Sequence, residues 1–185
     1  PDEGAFVTAA RNMGFSFTRR MMRDITLTVA PPGGREAVGL GSEETWTILN
    51  TNAFDNNRKR TSVIVENEKK ELVLLVKGAD TSIMPFVDYS TCLYFDETQS
   101  HIDRFSDQGL RTLVFAGRSL TREEYDVWNE KFKKASLMSE GREDALRQLA
   151  SVIEENHTKD GQESALFDAA TSFKKVRFDH NLLRC

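Results

Sequence analysis

The chain has 185 residues, 39% hydrophobic and 29% charged, which suits one domain or one domain with an appendage and is long enough to bury a core. Its 25 Lys and Arg against 29 Asp and Glu leave a formal charge of −4. An acidic balance argues against a general nucleic-acid binder, which needs a basic face. The longest strongly apolar run is Leu72 to Val76, far short of the ~18 residues of a membrane helix.

The first residues, Pro1-Asp2-Glu3 followed by an Ala-rich stretch, predict a short helix stopped by Gly14. Phe6, Ala9, Ala10 and Met13 share one face of it. Short strand signals follow at Phe15 to Thr18, Ile25 to Ala30 and Glu44 to Leu49, with a Pro31-Pro32-Gly33-Gly34 turn between the last two. Arg60 to Glu66 and Leu72 to Val76 read as an antiparallel hairpin across a polar connector. The pattern turns helical from Asp80, with Ile83, Phe86 and Val87 spaced for one face. A second helix is expected from about Asp96 to Gln108, with Ile102 and Phe105 inward and Gly109 at its C′ position. Arg111 to Gly117 reads as another strand. Thr121 followed by Glu124 is a capping box opening a long amphipathic helix through Tyr125, Trp128 and Phe132. A last helix covers roughly Ser139 to Asn156, with Leu146, Leu149 and Ile153 facing in. Beyond it, His157 to Gly161 is loop-like, Ser164 to Ala170 has helical character, and Ser172 to Asp179 alternates basic with apolar residues. Helices mix irregularly with antiparallel hairpins, so the fold class is α+β rather than a doubly wound parallel sheet.

Cys92 and Cys185 are the only cysteines, and His101, His157 and His180 lie far apart. No metal site and no disulfide framework is expected, and a reducing compartment fits. No serine-hydrolase, zinc-protease or phosphate-loop motif occurs. The chain opens without methionine or signal peptide and reads as a piece of a longer protein.

Four short patches carry chemistry, each beside an ordinary structural reading. In the first, Asp2 and Glu3 would complement a helix dipole. The second, Phe54-Asp55-Asn56-Asn57-Arg58-Lys59-Arg60, puts an aromatic in a loop and then three cations ahead of a strand. It is either a core plug with a solvated strand entry, or a stacking face for a base with cations for phosphates. The third, Lys77-Gly78-Ala79-Asp80, ends a buried strand with a cation and a residue lacking Cβ. A ligand could approach the backbone there, and Asp80 could cap a helix while leaving Lys77 free. The fourth, Gly109-Leu110-Arg111, is a helix stop followed by a strand bearing one arginine.

In order and at this spacing the patches resemble the nucleotide-binding domain of P-type ATPases, and within them the phospholipid-flippase branch (type IV). The matching stretches are PDEGAFV, GFSFT, FDNNRKRTSVIV, LLVKGADTSIM, GLRTLVFAGRSL and EEYDVWNEKFKKAS. The resemblance implies a twisted antiparallel sheet flanked by helices, with ATP on one open face. It implies Glu3 near the adenine amine, Phe54 stacked on adenine, Lys59 toward the phosphates, Lys77 with Gly78 deep in the pocket, and Arg111 at ribose and phosphate. It also implies Mg²⁺ held mainly outside this domain and partnership with separate phosphorylation and actuator domains. Phospholipid would be handled by membrane helices of the parent, on whose cytosolic side this domain would sit. The motif of the phosphorylated aspartate, Asp-Lys-Thr-Gly-Thr, is absent, so no catalytic residue is expected here and the chain alone should not hydrolyse ATP. Thr61 stands where the family commonly has methionine. The match covers residues 1–156, and residues 157–185 read as a divergent linker or insertion. The readings left open are another P-type pump, for a cation or polyamine, or a catalytically inactive nucleotide-sensing module.

Overall fold

A computed structural model describes residues 2–30, 41–89, 92 and 94–155. The turn expected at Pro31 to Gly34 and every expectation beyond Glu155 lie outside these residues.

Helix α1, Asp2–Asn12, runs into a glycine at φ +96, Gly14, whose carbonyl accepts the Ala30 N–H at 2.8 Å. Strands β1 (Phe15–Met21), β2 (Asp24–Val29), β3 (Ser42–Asp55), β4 (Arg60–Asn67), β5 (Leu72–Gly78) and β6 (Val114–Leu120) form one antiparallel sheet in chain order. β3 is its hub. Its first half pairs with β2, from Asp24 opposite Thr47 to Val29 opposite Ser42, and its second half with β4, from Trp46 opposite Asn67 to Asp55 opposite Arg60. After β5 come the one-turn helix α2 (Asp80–Ile83), a 3-10 turn (Met84–Phe86) and α3 (Phe95–Asp107). α4 (Arg122–Ser136) and α5 (Arg142–Glu155) follow β6 and pack on each other. The α+β reading and the antiparallel hairpin are borne out.

Several boundaries differ from expectation. β3 runs six residues beyond the end of the predicted segment (44–49), because polar Asn50 and Asn52 find partners inside the fold. Asn50 accepts from Tyr125 Oη at 2.8 Å and Asn52 donates to Ser62 Oγ at 2.9 Å. Phe54 therefore ends a strand instead of occupying a loop. β6 starts at Val114, so Arg111 precedes the strand. Ala79, not Asp80, is the N-cap of α2, and the Asp80 carboxylate turns to the Thr81 N–H at 2.7 Å.

The sheet's two faces are unequal. Alternation sends Arg60, Ser62 and Ile64 of β4 and Leu72, Leu74 and Val76 of β5 toward the helices. There Ile64, Leu72, Leu74 and Leu120 meet Tyr125, Trp128 and Ile153 in one core, and a smaller cluster joins Ile83, Ile102 and Val114. Trp128 Nε1 donates to the Leu149 carbonyl at 2.9 Å, which fixes α4 against α5. Cutting fully buried Leu74 to alanine should cost about 2–5 kcal/mol. The opposite face of β5 and β6 carries exposed Leu75 and Phe115. Local signals hold at two ends. Gly109 sits at φ +72 after α3, and Thr121 Oγ1 accepts the Glu124 N–H at 3.1 Å. The Glu124 carboxylate turns instead to Arg118, at 2.6 Å, so the capping box is half made.

Two carboxylates tie loops to this frame. The N–H of Arg58, donated to Asp55, holds that carboxyl below its ordinary range, helped by the Asn57 N–H and the charge of Arg147. Hydrogen bonds from Arg122, then Lys70, do the same for Glu66. A depressed folded pKa means a contribution present above the unfolded value and lost as protons bind the native carboxylate. The melting temperature is therefore expected to fall as pH drops below roughly 4. Melts of Asp55→Asn and Glu66→Gln from pH 7 to 3 check this: their deficit against wild type should be largest near neutrality and shrink in acid.

Candidate nucleotide site

Register gathers the sequence-derived residues at one end of the sheet. Asp55 lies opposite Arg60, Arg60 opposite Gly78, and Gly78 opposite Val114. The end of β3, the start of β4, the end of β5 and the start of β6 thus stand side by side, about 4.8 Å per step. Phe54, Lys59, Lys77 and Gly78 belong to this edge, and Arg111 lies three residues before Val114.

Phe54 is 61% exposed, so it is no core plug. Asp55 beside it faces Arg147 of α5 at 3.3 Å, and Phe54 lies where β3 shifts register against β4, between Asn52 and Asp55. The polar turn after it is built by Asp55, whose Oδ1 accepts the N–H groups of Asn57 and Arg58, both at 3.0 Å. Lys59 closes the turn at φ +52, a left-handed conformation that costs a residue with a Cβ roughly 1–2 kcal/mol. Its carbonyl accepts the Ala79 N–H at 3.2 Å and Ser82 Oγ at 3.3 Å, and its side chain is exposed.

The three successive cations do not share one fate. Arg58 and Arg60 are buried and both grip Glu154 of α5, Arg58 Nη1 at 2.6 Å and Arg60 Nε at 2.7 Å. Ser62 Oγ donates to the same carboxylate at 2.7 Å, and Arg60 also pairs with Glu155. The expected solvated or phosphate-facing trio reduces to Lys59. Lys59 is the last residue of the turn and Arg60 the first of β4, so the left-handed backbone at Lys59 parts it from its neighbours.

Lys77 is not free, contrary to the expectation from the cap. Its ammonium pairs with the Glu3 carboxylate and lies 5.3 Å from the centre of the Phe6 ring. Phe6 in turn meets Phe115 edge to face at 5.2 Å, and Phe115 lies opposite Lys77 in the sheet. Glu3 and Lys77, 74 residues apart, are thus in direct contact, and two aromatic rings missed in the sequence complete their surroundings. The third patch also changes its physical meaning. A Cβ on Gly78 would stand 2.6 Å from both Arg60 Cβ and the Lys59 carbonyl, so the close approach seen there is between the chain's own strands. Thr61, opposite Lys77, donates its hydroxyl to the Asn52 carbonyl at 2.9 Å. Arg111 is exposed and lies three residues before Val114, where β6 begins.

The family model for the P-type ATPase, cytoplasmic domain N, matches residues 1–158. The chain belongs to the P-type ATPase family. Among similar P-type ATPases, the human Phospholipid-transporting ATPase ID is 39% identical over 156 residues, 84% of this chain and 12% of that protein. The Probable phospholipid-transporting ATPase 12 of Arabidopsis thaliana is 37% identical over 157 residues, 84% of this chain and 13% of that protein. The human Phospholipid-transporting ATPase IC is 36% identical over 156 residues, again 84% and 12%. The chain spans about one eighth of the length of these relatives. The resemblance to domain N of the type IV branch is borne out. Among the described residues no helix is long and apolar enough to cross a membrane, and no group of three or more His, Cys, Asp or Glu side chains could hold a metal ion.

Gly78→Ala tests the packing at the strand end. Two backbone-borne contacts at 2.6 Å leave the new methyl nowhere to go. The variant should lose about 1–3 kcal/mol of stability, measured by urea unfolding with an unchanged slope.

Proposed function

We propose that this domain binds ATP on the open face at the β3–β6 strand ends and presents its γ-phosphate to an aspartate in a separate phosphorylation domain of the parent. The observation that carries the reading is the convergence, in a P-type ATPase domain N, of an exposed aromatic, an exposed lysine and a carboxylate–lysine pair at one sheet edge. Phe54 offers a ring face for adenine. Glu3 is an acceptor for the adenine amine, and its pairing with Lys77 holds it at the site. Lys59 and Arg111 face the phosphates and ribose, with Gly78 keeping the strand ends close. Mg²⁺ would arrive on the triphosphate and neutralise part of its charge, with its protein ligands mainly in the phosphorylation domain. The product in the parent would be an aspartyl phosphate. Its turnover would drive phospholipid between leaflets, a reading supported by relatives named phospholipid-transporting ATPases. The domain would then lie on the cytosolic side of the parent's membrane. Residues 1–156 form the nucleotide-binding unit in this reading, and 157–185 a linker or insertion.

ATP titration of the chain by amide shifts tests the site. Wild type should bind with a Kd of about 0.1–1 mM, roughly −4 to −5.5 kcal/mol, with no turnover. Phe54→Ala should lose about 1–3 kcal/mol of binding and melt within a few degrees of wild type. Unchanged binding in Phe54→Ala, or hydrolysis by the pure chain, would overturn the reading. GTP should bind more weakly, because its carbonyl would meet the Glu3 carboxylate, a mismatch worth roughly 1–3 kcal/mol. Glu3→Gln should narrow that gap, and equal ATP and GTP affinities in wild type would remove Glu3 from the site.

A further inference from the structure

We infer that Glu154 is a positioning residue for nucleotide phosphate recognition: it holds Arg58 and Arg60 inward so that Lys59, between them, is displayed on the outside. The inference rests on the ATP reading above and names a residue on the far helix that never meets the ligand. The Glu154 side chain is 1% exposed. Both its oxygens accept from Arg58 Nη1 at 2.6 Å, one also accepts from Arg60 Nε at 2.7 Å, and the other from Ser62 Oγ at 2.7 Å.

Two guanidinium groups flanking Lys59, Arg58 in the turn and Arg60 at the first position of β4, cannot both point inward without a buried anion, since an unpaired buried charge is strongly unfavourable. Without the anion they would turn to water. Lys59 is the last residue of the turn between them, so turning both neighbours outward would move its backbone with them. Lys59 is the residue that would turn, and its left-handed φ of +52 is not one it would keep unaided. The clamp extends to α2: Arg60 Nη1 donates to the Ser82 carbonyl at 3.0 Å, while the Lys59 carbonyl accepts from Ala79 and Ser82. α5, the start of β4 and the turn after Lys77 are thereby one unit, and α5 controls the open face from behind the sheet.

Glu154→Gln alone leaves two buried cations short of charge and is open to unfolding. The decisive variant is Arg58→Met/Glu154→Gln. It removes one charge of each sign and leaves Arg60 its bonds to Glu155 and Ser82. Affinities for ATP and for adenosine are measured on the chain, with and without Lys59→Ala, alongside thermal melts. A cooperative melt is expected, with adenosine affinity kept. The preference for ATP over adenosine should fall about threefold or more, and Lys59→Ala should add no further loss. A purely structural clamp predicts otherwise. The ATP preference would match wild type and Lys59→Ala would cost the same in both backgrounds, which overturns the inference while leaving the site intact. If Lys59→Ala does not weaken ATP binding in the wild-type chain, the phosphate assignment of Lys59 itself falls, and the positioning role with it.

Discussion

The carboxylate of Glu154, buried between Arg58 and Arg60, is the constraint on which the strand-end geometry depends. Such a pair is a poor source of net stability, because desolvating the ions offsets most of their attraction. Breaking it from one side is another matter, costing about 3–5 kcal/mol when a charge is left stranded. The cluster's value is therefore in specification. It fixes where β4 begins, which of three neighbouring cations face α5, and how the last residues of α5 meet the sheet. A slip of one residue would pull Arg60 off Glu154, and the hydrogen bonds of Ser62 and Asn52 would be lost with it.

From that constraint follows a division between the faces of the sheet. The helix-covered face holds the core of Ile64, Leu74, Trp128 and Ile153 and, at its end, the ion cluster. The opposite face needs no core and carries groups with exposed chemistry: Phe54, Lys77 and Phe115, with α1 reaching over through Phe6 and Glu3. Because β3 to β6 are antiparallel neighbours, two of them end and two begin at the same edge. The β3–β4 turn and the segments after β5 and before β6 then contribute to one place without any strand crossing another. The meander topology itself does the gathering, and residues distant in sequence need only correct register to meet.

Much of this was legible in the sequence where local chemistry decides the outcome. The hairpin from Arg60 to Val76 followed from alternation, the end of α3 from Gly109, and the start of α4 from Thr121. Legibility failed where a tertiary partner overrides the local pattern. Asn50 and Asn52 read as a strand end, yet they sit in β3 because Tyr125 and Ser62 satisfy them. Arg58 and Arg60 read as solvated because their partner is nearly a hundred residues away, at the end of a helix whose carboxylates look like surface. Glu3 and Phe54 were found by resemblance. Of these, the fold brings Glu3 onto Lys77 directly and Phe54 to the same edge by register.

The pairing of Lys77 with Glu3 bears on how an acidic chain can recognise a polyanion. Counting cations near the strand ends gives five: Arg58, Lys59, Arg60, Lys77 and Arg111. Arg58 and Arg60 are neutralised by Glu154 and Glu155 behind the sheet, and Lys77 is paired with Glu3 on its open side. Lys59 and Arg111 are exposed, and with the other three neutralised the charge a polyanion would meet is below the count. Recognition on the ATP reading then leans on the stacking ring and on hydrogen bonds with fixed geometry, and only secondarily on bulk charge. Stacking and short hydrogen bonds are little screened by salt, whereas exposed charge pairs are. A site so built stays weak and selective, which suits a domain that must take up a nucleotide, offer its far end elsewhere, and let the remainder go.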